Sequence, residues 1–399
     1  MKKNILISVY NMEIGGIERS LINMLESFDY QEFNVDLLIF HHVGEFMSLI
    51  PKEVNILPQI DEYSVFRKPI KLCIKEKHYY LAGVRLLSKY LAKAKYKNRV
   101  FEEKAGYIQM QLSQKYSSFI LPNHKKEYDV AISYAWPHDI VAKKVKAKKK
   151  IAWVHTDYSK LEIDNELDLK VWNQFDHIAS VSDACKEAFL STYPGLKEKV
   201  CVVENITSPA FIKKMAEEEM NFSEDKSQTF SIVSVGRLSY VKGFDLAAEA
   251  LKLLHNKGLT NIKWYIIGYG GYEKELKRII SNLNLDESFI LLGKKTNPYP
   301  YIKNCDLYVQ PSRYEGKAVT VSEAKILGKP ILITNYPTAS SQIEHGKEGI
   351  ICELSSAGLA KGIEEFYNNQ ELKTYLINHL QNRDYSNYHE LEKLYRLIC

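Results

Sequence analysis

Two carboxylates with seven residues between them, Glu315 and Glu323 in Tyr-Glu-Gly-Lys-Ala-Val-Thr-Val-Ser-Glu-Ala, carry the clearest chemical signal in this 399-residue chain. Glu315 follows a strand-like run over 306–310 and the loop Pro311-Ser-Arg-Tyr314. Glu323 is expected about two turns into a helix that begins near Ala318 and stops at Gly328, just before Pro330. One carboxylate then sits at a strand-to-helix turn and the other on the helix behind it. Between them, N–H groups at the helix start point outward, where an anion is favoured. That layout suits a nucleotide-sugar, with hydroxyl-rich groups at each end for carboxylates to grip and a diphosphate in the middle.

Other residues of the right type fall at the ends of predicted strands. Ser231-Ile-Val-Ser-Val-Gly236-Arg237-Leu-Ser-Tyr-Val-Lys242-Gly243 is a strand running into a turn with two cations. Arg237 offers a planar fork for phosphate oxygens and Lys242 a compact charge; both types also occur as ordinary surface cations. Ile151-Ala-Trp-Val-His155 ends a strand on a histidine, a position equally open to a structural, hydrogen-bonded imidazole. Gly15-Gly16-Ile-Glu18-Arg19 gives a flexible turn at a helix start, suited to close approach of phosphate. Gly268-Tyr-Gly270-Gly271 is a weak glycine turn, and no GxGxxG spacing marks a dinucleotide site there.

The elements that must position these residues alternate short apolar runs with helix-period segments, the pattern of α/β architecture with parallel sheets. Strands are expected over 4–9, 34–40, 54–57, 128–133, 150–154, 177–181 and 199–203, then over 231–235, 263–267, 289–292, 306–310, 330–334 and 349–352. A mostly helical segment from about 60 to 125 interrupts the first series. An acid-rich stretch over 213–227 separates the halves, so two Rossmann-like units joined near residue 205 are predicted. Ligands in such sheets bind beyond the carboxyl ends of the strands.

Bulk properties bound the class. A charged fraction of 26% and an apolar fraction of 45% belong to a folded protein long enough for two domains. The first ten residues are expected to form a buried strand rather than a signal peptide, since Asn11 and Glu13 break the apolar run. No apolar run approaches the roughly 20 residues that cross a bilayer. The six cysteines are scattered, without CxxC pairs or histidines at metal spacing, which fits reduced thiols in the cytoplasm. The net charge of +5 is concentrated between Arg67 and Arg99, where eleven Lys and Arg face one Glu and interleave with Leu, Ile and Tyr. Such a stretch suits an anionic lipid surface. A solvated helix face and a nucleic-acid patch are the other readings, the last without any accompanying motif.

Taken in order, Gly15-Gly16-Ile-Glu18-Arg19, His155, Val235-Gly236-Arg237 with Lys242-Gly243, and Glu315 with Glu323 resemble the retaining glycosyltransferases of the GT-B fold. The likeness is greatest to family 4, whose bacterial members build capsular, exopolysaccharide and lipid-linked glycans. It covers nearly the whole chain and is strongest over 231–349. The resemblance implies an α/β fold with two Rossmann-like domains facing a central cleft: an acceptor domain over 1–205 with a basic insert at about 65–125, a nucleotide-sugar domain over 206–385, and a last segment, 386–399, whose helix Tyr388–Ile398 returns to the first domain. It implies that Arg237 and Lys242 hold the donor diphosphate, with Gly236 in their turn. Glu323 would bond ribose and Glu315 face the sugar. Gly316 and the amides of Lys317, Ala318 and Val319 would lie near the diphosphate, and Lys294 would border the base. Gly15 and Gly16 would lie near the phosphates, and His155 near the reacting carbon. Lys317 departs from the family pattern, as a third phosphate cation or a solvated side chain. The implied donor is a UDP-sugar, the acceptor a glycan or lipid-linked hydroxyl at the inner leaflet of the cell membrane. No metal, cofactor or nucleic acid is implied. A nucleotide-sugar 2-epimerase and a catalytically silent partner of the same fold are the competing expectations.

Overall fold

The computed structural model describes residues 2–95, 105–219, 229–315 and 318–399. The chain divides into two compact units, one formed by 1–207 with 387–399 and the other by 208–386.

The first unit holds a parallel sheet of seven strands: β1 (Lys3–Val9), β2 (Phe33–Ile39), β3 (Asn55–Ile56), β4 (Glu127–Ser133), β5 (Lys146–Val154), β6 (His177–Ser180) and β7 (Val200–Val202), in the order β3-β2-β1-β4-β5-β6-β7. Strands covered on both faces read as continuous apolar runs, and Ile5, Leu6, Ile7 and Val9 of β1 are wholly buried. β5 begins earlier than its apolar core predicts. Its polar start is held by cross-strand pairs, Lys146 to Glu127 at 3.1 Å and Lys148 to Asp129 at 2.7 Å. The final helix, Tyr388–Ile398, belongs to this unit: Tyr395 packs edge-on to Phe28 and against Phe33, and Glu390 accepts the Glu204 N–H at 3.0 Å.

The insert contains the helices Ile70–Lys75, Tyr79–Lys95 and Ala105–Ser117. Cys73, Leu81, Ala82, Val84 and Ala92 face inward, while Leu72, Ile74, Tyr79, Tyr80, Leu86, Leu87 and Tyr90 are exposed. Two cations of the basic stretch are not at the surface face expected of them. Lys68 is buried against Glu76 at 2.9 Å, and Arg85 donates to the carbonyls of Val65 and Lys68, because the helix pair needs donors where the chain turns. Lys97 and Arg99 lie outside the described residues.

The second unit has six parallel strands: β8 (Phe230–Val235), β9 (Ile262–Ile267), β10 (Phe289–Gly293), β11 (Leu307–Gln310), β12 (Ile331–Thr334) and β13 (Ile350–Cys352), ordered β10-β9-β8-β11-β12-β13. Helix Phe244–Asn256 lays Phe244, Ala247, Ala248, Leu251 and Leu254 on the sheet at helical spacing. The connections reverse direction between β1 and β4 in one unit and between β8 and β11 in the other. Those are the two topological switch points, where departing loops leave a crevice.

Candidate active site

In the second unit the loops leaving β8 and β11 meet across the switch point. The first ends in a short 3₁₀ turn, Tyr240–Lys242, closed by Gly243 at φ 68°. A side chain there would be strained and its Cβ would collide with the Pro311 carbonyl, so only glycine lets the two loops touch. Arg313 locks the contact. Its guanidinium makes two bonds of 2.7 Å to Asp245 and lies 3.9 Å from the centroid of the Tyr240 ring.

That junction brings Lys242 and Glu315 together. Oε1 of Glu315 accepts from Lys242 Nζ at 2.6 Å, Ser312 Oγ at 2.6 Å and Gln310 Nε2 at 3.0 Å. Gln310 Oε1 in turn accepts from Tyr308 and Thr320 hydroxyls at 2.7 and 3.2 Å. The carboxylate is thus fixed by two neutral donors and neutralised by one cation. The Lys242 stem passes over Gly236, where a Cβ would come within 3.4 Å of it. Arg237, the next residue, is exposed. Lys294 is exposed beyond β10, its Nζ 5.2 Å from the centroid of the Tyr269 ring.

Three expectations change on the helix that follows. It spans Val319–Ile326, so Glu323 stands little more than one turn in, not two. Glu323 is wholly buried and accepts from Tyr299 at 3.1 Å, where an open carboxylate is expected. The Ala318 N–H is already engaged by Gln342 Oε1 at 3.1 Å, because the short helix Ala339–Gln342 and the turn before it fold across the helix start, where Thr338 bonds the Glu315 carbonyl. Val319 is the first helical residue. Gly316 and Lys317 lie outside the described residues. Burial, with both carboxylates adding to it, pushes the Tyr308 phenol far above its ordinary range.

In the first unit, a cavity of about 410 Å³ opens at the switch point between β1 and β4. His155 lines it, and its Nε2–H donates to the Tyr134 carbonyl at 2.9 Å. Burial pulls the imidazole down to about 4, so it is neutral near pH 7. Gly15 caps the helix Gly16–Glu26, and Glu18 folds back into the space a Gly15 side chain would fill; Gly16 is open. His138, on the loop after β4, is pulled to about 3 by burial and bonds Ser133 Oγ through Nδ1 at 2.8 Å. It stands just before the helix Asp139–Lys144 rather than directly at a strand end as His155 does, and it is absent from the expected set. So are Gln310, whose partners are close in sequence but carry no motif, and Asp168, Gln111 and Asp245, which have partners far off in sequence.

Residues 215–383 match the model of glycosyl transferases group 1. The second unit is a glycosyl transferases group 1 domain. An uncharacterized glycosyltransferase of Haemophilus influenzae is 31% identical over 150 residues, 37% of this chain and 42% of the relative. The N-acetylgalactosamine-N,N'-diacetylbacillosaminyl-diphospho-undecaprenol 4-alpha-N-acetylgalactosaminyltransferase of Campylobacter jejuni is 28% identical over 144 residues, 36% of this chain and 38% of the relative. The chain spans about two fifths of the length of these curated relatives. Anabaena HepE, solved in complex with UDP-glucose, aligns with a TM-score of 0.65 at 18% identity, covering 99% of this chain and all of that one. The fold is that of the GT-B glycosyltransferases.

Proposed function

We propose that the chain is a retaining, family 4-type glycosyltransferase that moves a sugar from a UDP-sugar to a hydroxyl of a glycan or lipid-linked acceptor during bacterial surface-polysaccharide synthesis. The observation that carries this reading is the Lys242–Glu315 pair at the β8/β11 switch point, 2.6 Å apart and flanked by Arg237. A donor diphosphate takes over Lys242 and the exposed Arg237 fork. Glu315 keeps the Ser312 and Gln310 bonds when Lys242 turns to phosphate, so its carboxylate stays aimed at the sugar. Val319 and Lys294 complete the donor side by proposal, and Glu323 reaches ribose only by exchanging its Tyr299 bond.

As the anomeric carbon–phosphate oxygen bond breaks, charge gathers on the departing diphosphate, where the two cations stabilise it. The acceptor oxygen bonds to the anomeric carbon on the same face, and its proton passes to the departing phosphate oxygen. Arg237 and Lys242 supply the charge a divalent ion would otherwise bring, so no metal is required. Exposed lysines and apolar side chains on the insert of the first unit support work at the inner face of the membrane.

Transfer from UDP-sugars to lipid-linked or glycan acceptors, with the anomeric configuration of the product read by NMR, tests the reading. The Arg237→Ala/Lys242→Ala variant is expected to lose at least about 10²-fold in kcat. Near-normal transfer in that variant, an inverted product, or epimerised donor without acceptor would contradict it.

A further inference from the structure

Gln310 is the last residue of β11, a strand paired on both sides, and it is wholly buried there. Along that strand Leu307 and Val309 join the apolar core, so Tyr308 and Gln310 face the other side of the sheet. A buried primary amide is costly unless it is matched. This one is matched in full. Its Oε1 accepts from the hydroxyls of Tyr308 at 2.7 Å and Thr320 at 3.2 Å, and its Nε2 donates to Ser312 Oγ at 2.8 Å and Glu315 Oε1 at 3.0 Å. Those are the four hydrogen bonds open to an amide side chain.

The set runs in one direction. A carboxylate only accepts, so the amide edge toward Glu315 must be the one that carries N–H groups. Ser312 gives its single hydroxyl proton to Glu315 Oε1 at 2.6 Å, so toward Gln310 it must accept. The carbonyl edge is thereby turned to Tyr308 on the strand and to Thr320, the second residue of the helix Val319–Ile326. One amide therefore ties a strand end, a helix start and the carboxylate between them into a single arrangement. Lys242, Ser312 and Gln310 all donate to Oε1 of Glu315, and among the described residues no donor reaches Oε2.

A second amide close by has a different task. Gln342, 8% exposed, accepts from the Ala318 N–H at 3.1 Å and the Tyr336 hydroxyl at 3.0 Å, and donates to Thr338 Oγ1 at 3.0 Å. It holds main chain at the helix start and does not touch the carboxylate. We propose that Gln310 is the positioning residue of the donor site: by fixing Oε1 of Glu315 it presents Oε2 to a hydroxyl of the donor sugar, and so sets how well the chain tells a UDP-sugar from UDP. This rests on the glycosyltransferase reading and deepens it. Lys242 cannot hold the carboxylate in that state, because the diphosphate takes it over. Gln310, wholly buried, keeps its bonds whatever the ligand.

The test is calorimetric titration of the intact chain with UDP and with UDP-glucose, UDP-galactose, UDP-N-acetylglucosamine and UDP-N-acetylgalactosamine. The quantity read is the affinity for the best-bound UDP-sugar divided by that for UDP. Gln310→Met is expected to lower this ratio at least about fivefold while UDP affinity stays within about twofold of the parent. Tyr308→Phe removes a hydroxyl that touches Gln310 and not Glu315, and should lower the ratio about twofold to threefold. Gln342→Leu should weaken UDP and the UDP-sugar alike and leave the ratio where it was. If Gln310→Met does not fold, Tyr308→Phe and Ser312→Ala carry the same expectation. Lower melting temperatures with an unchanged ratio would make Gln310 a structural amide and overturn the inference, as would an equal fall of the ratio in Gln342→Leu. Either result, with the parent binding UDP and a UDP-sugar, defeats this inference alone. A parent that binds neither UDP nor any of the four UDP-sugars defeats the functional reading and this inference with it.

Discussion

At the scale of single residues, both units hold polar groups whose charge is set by what encloses them. Lys242 and Glu315 neutralise one another, and the carboxylate's two further donors keep it oriented. His138 is the opposite case, a base held neutral by burial, between Trp172 at 4.8 Å and Phe175 at 6.2 Å from its ring centroid. Its folded pKa of about 3 lies below the ordinary 6.5, so between those values the unfolded chain binds more protons than the folded one. Stability contributed by this group is therefore full above about pH 6.5 and is lost as pH falls toward 3. Asp139 and Asp168, whose carboxyls burial pushes upward, act in the opposite sense, so the readout is a difference. His138→Asn retains an acceptor for Ser133 but cannot titrate. Melting temperatures measured from pH 7 to 4 should fall less steeply in the variant than in the parent, and equal slopes would remove the buried neutral imidazole from the account.

At the scale of elements, most of what positions the site is legible in the sequence. The thirteen strands overlap the runs expected of them; those covered on both faces, such as β1 and β12, leave continuous Val, Ile and Leu signatures, while β3, a short exposed edge pair, does not. Helix Tyr388–Ile398 lies where the resemblance implies it. What the sequence hides is tertiary. Nothing local announces that Arg313 reaches Asp245, 68 residues away, or that Gln342 takes the Ala318 amide. Lys68 and Arg85 look like surface cations and are structural donors, since charge alone does not say which way a helix turns. Their removal from the surface still leaves Lys71, Lys75, Lys77, Lys89 and Lys93 exposed beside Leu72, Tyr79, Tyr80, Leu86, Leu87 and Tyr90. Lysines near an anionic surface contribute about 1 kcal/mol each. The chain should therefore float with phosphatidylserine-containing vesicles at low salt, and a variant with those five lysines changed to glutamine should not. Equal flotation of the two would assign the patch to another role.

At the scale of the whole molecule, the chain crosses between its units twice, after 207 and after 386, so the first unit is completed only by residues 387–399. Leu391, Leu394 and Ile398 are buried there, and Lys149 Nζ bonds the Leu397 carbonyl at 2.8 Å. Burying three aliphatic side chains contributes at most about 5–9 kcal/mol, comparable to the whole stability of a domain. Truncation after Ser386 should thus abolish or sharply lower the first unit's calorimetric transition while the second unit keeps its own. A single unchanged transition would show the helix to be dispensable. The central claim, that the β8/β11 junction holds a nucleotide-sugar, is tested most directly by thermal shift of the intact chain against UDP-, GDP- and ADP-sugars. A ligand that binds only the folded state stabilises it by about 2.7 kcal/mol at a hundredfold excess over Kd. The account predicts a concentration-dependent rise in Tm with a UDP-sugar that disappears in Arg237→Ala/Lys242→Ala. A chain indifferent to every nucleotide-sugar, or one stabilised equally without those two cations, would contradict it.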